Sequence, residues 1–78
     1  MAKRQVFHSV ATKEGWAVKL DGKVQSEHAT QRESEAAARA GGRAAYEKGG
    51  LGQAVLHKAG GTIRTEHTYG KDPERTPG

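Results

Sequence analysis

The 78-residue chain contains no cysteine, which excludes disulfides and thiolate metal centres and leaves the fold indifferent to a reducing cytosol. Aromatic residues are scarce, with one Trp, one Phe and two Tyr, so a core must be built largely from aliphatic and small side chains. No apolar run approaches the ~20 residues that a membrane-spanning helix needs, and no membrane association is expected. The N-terminal stretch through Gly15 has basic residues but no continuous apolar segment, so no secretory signal is expected and the protein is read as cytoplasmic. Both prolines, Pro73 and Pro77, fall in residues 70–78, which hold no large apolar group and are expected to form a flexible tail. A chain this short, with a thin core and no cross-link, commonly needs a partner, and a homodimer is expected over a monomer.

What is present is a helix that carries its own start and stop signals, over residues 30–50. Thr30 and Glu33 have the spacing of a capping box, in which the hydroxyl accepts from the N–H three residues on and the carboxylate reaches back. Glu33 and Glu35 lie in the early turns and Arg43 and Lys48 near the end, as the macrodipole favours. Gly49 and Gly50 supply the stop. The expected buried stripe is Ser34, Ala37, Ala38, Gly41 and Ala45, all small, so the helix can lie close to a sheet. The Gly41-Gly42 pair reads either as a close backbone approach or, by default, as a weak point or slight kink that the helix tolerates. Trp16 is expected to be the large ring that packs against this small-residue stripe.

Strand patterns flank the helix. Residues 5–12, 16–20 and 23–27 precede it, with a turn at Lys13-Glu14-Gly15 and a strong two-residue hairpin signal at Asp21-Gly22. Residues 53–58 and 62–69 follow as a second hairpin across Ala59-Gly60-Gly61. The expected fold is α+β: a small antiparallel sheet in the order β-β-β-α-β-β with one helix packed on one face. It forms a single domain over residues 5–69, after an N-terminal extension of residues 1–4. One helix covers one face of such a sheet, so the other face is exposed or meets another chain. Phe7 and Tyr69 are the candidate apolar residues of that interaction surface.

The net charge of +4 invites a nucleic-acid partner, but the basic residues are spread along the chain. Folding would have to gather them, and Lys13, Lys19, Lys23 and Arg64 are the candidate phosphate contacts on a three-stranded sheet face. A sheet could bring two of the four histidines, His8, His28, His57 and His67, together, where imidazole suits zinc or copper, but they lack the paired spacing of a metal site, and no cofactor is expected. Ser9, Ser26 and Ser34 stand in no nucleophile context, and the glycine pairs match no phosphate-binding loop, so catalysis is not expected.

Taken in order, Phe7-His8, the run from Gly15 to Lys19, Thr30 with its alanine-rich helix, Val55-Leu56-His57, Gly61 to Arg64 and Tyr69 to Pro73 resemble the bacterial family catalogued as domain of unknown function 2188. The resemblance covers nearly the whole chain and implies no catalytic residue. The chain departs from the family pattern in its ERTPG ending and at Gly41, where a larger aliphatic residue is usual, which puts tight helix packing there in question. The strand–strand–strand–helix order of residues 5–48 is also similar, at fold level, to small β-sheet DNA readers such as the arm-binding domains of integrases. The expected function is a non-enzymatic module for macromolecular interaction or self-association, with nucleic-acid binding through the basic sheet face as the alternative.

Overall fold

A computed structural model describes residues 4–69. The chain forms β1 (Arg4–Thr12), β2 (Gly15–Leu20), β3 (Lys23–His28), α1 (Gln31–Glu47), β4 (Leu51–His57) and β5 (Ile63–Tyr69). Arg4, expected in an extension, is already in β1, paired with Leu51. The expected tail lies outside the described residues. No helix among the described residues is long and apolar enough to cross a membrane.

The five strands make one sheet in the order β3-β2-β1-β4-β5. The sheet is mixed, which corrects the expectation of an antiparallel one: β1 and β4 run parallel, while the other three pairings are antiparallel. The reason is the path of the chain. Three strands alternate in direction, α1 returns across the sheet, and β4 therefore enters beside β1 pointing the same way. Each edge strand has one register irregularity. The β2–β3 pairing skips Gln25, and the β4–β5 pairing skips Arg64.

The local signals act as their chemistry suggests. The Thr30 hydroxyl accepts from the Glu33 N–H at 3.2 Å, and Thr30 itself is extended, so α1 starts where its cap is. At the far end the Gly50 N–H bonds the Ala45 carbonyl and the Gly49 N–H bonds that of Tyr46, with Gly49 at φ 96°. This pair of bonds is a Schellman stop. The turn between β2 and β3 places both Asp21 and Gly22 at positive φ, as a tight hairpin of this twist requires.

The core lies between α1 and one sheet face. It consists of Val18, Ala38, Ala54 and Leu56, with Phe7, Ala37 and Tyr69 packed against it. The helix comes down so closely that its backbone rests on β4. A Cβ added to Gly52 would collide with the Gly42 carbonyl, its carbon lying only 2.6 Å away. A Cβ at Gly41 would stand 2.8 Å from the Phe7 ring, and one at Gly42 2.9 Å from the Tyr69 ring. The glycine pair is thus a close-approach notch rather than a tolerated kink, and Gly41 makes the packing tighter. Phe7 and Tyr69 fill the place assigned above to Trp16. Trp16 sits at the other end of the sheet, half-buried and paired with Ala11 and His28.

Two polar contacts complete this layer. Ser9 and Ser34 are fully buried with their hydroxyls 2.7 Å apart, and Ser34 also donates to the Ala17 carbonyl at 3.2 Å. Since a carbonyl only accepts, the Ser9 proton goes to Ser34, and both groups are satisfied. Glu35, buried beside Gln31, takes a two-pronged bond from Arg64. Burial on α1 thus extends to Glu35 and Gly42, beyond the expected stripe.

Gly52→Ala should lower the unfolding free energy by about 3 kcal/mol or more, because backbone cannot move aside as a side chain can. Gly60→Ala, where a Cβ meets nothing within 4 Å, should be near neutral; urea unfolding of both variants checks the pair. Ser34→Ala strands a buried hydroxyl at Ser9 and should cost about 1–3 kcal/mol. The Ser9→Ala/Ser34→Ala double variant should lose less than the sum of the singles, a coupling that a double-mutant cycle measures.

Candidate functional site

Strand alternation and register fix what the uncovered face carries. Ser9 and Phe7 face the helix, so Val6, His8 and Val10 of β1 face away. Their partners follow: Ala17 and Lys19 on β2, Gln53 and Val55 on β4, Glu66 and Thr68 on β5. Across the middle runs one row, Val24–Lys19–His8–Val55–Glu66. Valines dominate the centre, while charges of both signs stand around it, Lys19 and Glu66 along this row, Arg4 at the start of β1 and Glu27 opposite Ala17 on β3.

The face has a polar centre that sequence spacing did not reveal. His8 and His57, forty-nine positions apart, are neighbours here, with Nδ1 of His8 3.0 Å from Nε2 of His57. The other nitrogen of His57, Nδ1, is 3.1 Å from the Gly61 carbonyl. That carbonyl can only accept, so His57 carries its proton on Nδ1 and presents a bare Nε2 to His8. In the metal-free neutral pair His8 then donates from Nδ1. The pKa of His8 is lowered below the ordinary 6.5, first by burial and then by the neighbouring His57. The signal missing from the sequence was the parallel pairing of β1 with β4, which alone brings these two positions together.

The other expected site residues are dispersed. Lys19 lies on the uncovered face. Lys23 pairs with Leu20 on the helix-covered side, at one end of β2. Lys13 is in the turn at the other end, about 20 Å away along a six-residue strand. Arg64 is held on the helix side, its guanidinium in a bidentate bond to Glu35. The fold therefore brings Lys19 alone of these four onto the open face. Phe7 and Tyr69, expected as interaction residues, are occupied by the helix notch. His28 bonds Ser26 at 2.8 Å, and His67 pairs with Ala54 on the helix-side register. Trp16 lines an open pocket of about 380 Å³ with Lys13, Glu14, Val24, Glu27 and His28.

Comparison with protein families matches residues 7–69 to DUF2188, described as an uncharacterized protein conserved in bacteria. The chain belongs to this family. The span matched to DUF2188 opens at Phe7 and closes at Tyr69, the two rings that seat the helix notch, so it takes in the complete helix–sheet layer. No curated protein and no solved structure matches the chain.

The lowered pKa of His8 gives stability a definite pH dependence. Between the folded-state value and 6.5 the unfolded chain holds a proton that the folded chain does not, so stability is full above 6.5 and falls as pH drops through that window. Urea midpoints should decline from pH 7 to acid for the native chain, and the decline should be shallower in His8→Gln.

Proposed function

We propose that this protein is a non-enzymatic binding module whose uncovered sheet face holds a second copy of the chain. The observation that carries this reading is the composition of the face. Val6 and Val10 stand half-buried on either side of His8, and the row through His8 carries Lys19 toward one side and Glu66 toward the other. A twofold axis along the strands, lying between β1 and β4, would set Lys19 of each copy over Glu66 of its partner and His8 over Val55. Such a surface is self-complementary, as a symmetric interface must be. Cytoplasmic residence belongs to the same proposal, since a chain without cysteine keeps its fold under reducing conditions.

Nucleic acid on the same face is the alternative, favoured by the net charge of +4 and by Lys19. The acidic Glu66 on that face weighs against it. One substitution separates the two readings. Val10→Arg puts a charge at the centre of the face, so it should weaken self-association roughly tenfold or more in sedimentation. The same change should strengthen binding to mixed-sequence DNA, because it adds a phosphate contact. Unchanged sedimentation together with salt-sensitive DNA binding in the native chain would replace the first reading with the second.

A further inference from the structure

We propose that His8 and His57 form a two-point chelate for a late first-row divalent transition metal, with Ni(II) and Cu(II) fitting better than Zn(II). The site lies on the uncovered face and needs residues of one chain only, so it stands independently of self-association.

Three features of the pair carry the inference. The first is spacing. With metal–nitrogen bonds of about 2.1 Å, adjacent nitrogens in a square or octahedral set lie about 3.0 Å apart, against about 3.4 Å in a tetrahedron. The His8 and His57 nitrogens are 3.0 Å apart, so square or octahedral placement needs no widening and a tetrahedral one does. The second is the outer contact of His57. Its Nδ1–H donates to the Gly61 carbonyl at 3.1 Å, the arrangement that orients a ligating imidazole and raises its basicity. The bare Nε2 thus faces Nδ1 of His8, and an ion seated beside the two nitrogens takes the place of the hydrogen bond that joins them. The third is placement: the two residues lie in β1 and β4, the paired central strands of the sheet, so the backbone holds the rings as neighbours before any ion arrives.

Loading requires one proton movement. In the neutral pair His8 donates from Nδ1 to His57; on binding, His8 shifts to the tautomer protonated on Nε2 and offers Nδ1 to the metal. No net proton is released when the pair is neutral. Among the described residues no group of three or more His, Cys, Asp or Glu converges on one point, so water would fill the remaining positions. The site would be labile and open to an added ligand, unlike a closed structural centre.

The test is a titration of the full chain with Ni(II) at pH 7.5, read by calorimetry and by broadening of the histidine ring resonances. One ion should bind per chain, and the His8 and His57 rings should broaden before those of His28 and His67. His8→Ala and His57→Ala should each lower the affinity roughly tenfold or more, the double variant scarcely further, and His67→Ala should leave it within about twofold. Amide spectra of the variants check that the fold is intact. Repeating the titration over a range of protein concentrations separates the site from self-association, since the affinity of a one-chain chelate does not depend on chain concentration. Equal broadening of all four histidines, or either alanine variant keeping native affinity, would overturn the proposal and leave a hydrogen-bonded pair.

Discussion

The contact between the Gly42 carbonyl and Gly52 sets the dimensions of everything else in this protein. With so few large apolar residues, the chain cannot separate helix and sheet by a layer of bulky side chains and fill the gap. It removes the gap instead. Backbone meets backbone at β4, alanines at 38 and 54 occupy the adjoining space, and the Phe7 and Tyr69 rings flank the notch. The close approach also makes two buried serines tolerable: Ser34 reaches both Ser9 and a β2 carbonyl only because α1 is this near the sheet.

Much of this layer was legible in the sequence, since it rests on local rules. Thr30, Gly49 and Asp21-Gly22 mark their turns and caps by side-chain chemistry that acts within a few residues. The small-residue stripe on α1 correctly implied a helix lying close to its sheet. What the sequence withheld was pairing at long range. Nothing near Leu51 says that β4 will settle beside β1, and that single choice makes the sheet mixed and joins His8 to His57. Phe7 and Trp16 were exchanged for a related reason. Both lie on the helix-covered side of neighbouring strands, and only the position of the glycine notch along α1 decides which ring it receives.

The uncovered face follows from the same economy of material. One helix spends its contact area on one side, leaving valines and an imidazole pair on the other. Arg64 illustrates how charge is withdrawn from that side: the skipped position in β5 coincides with its bond to a buried carboxylate beneath the sheet's other surface. Of the four basic residues expected on a sheet face, the fold therefore leaves Lys19 alone on the open one.

The irregular positions Gln25 and Arg64 lie one on each edge strand, so neither border of the sheet offers a long unbroken row of backbone donors and acceptors. Joining unlike borders, β3 of one copy to β5 of the next, would be head-to-tail and without limit, the geometry of a fibre. Contact through a self-complementary face ends once two copies have met. The irregular borders are thus a geometric obstacle to polymerisation that the sheet carries whether or not its face meets a partner.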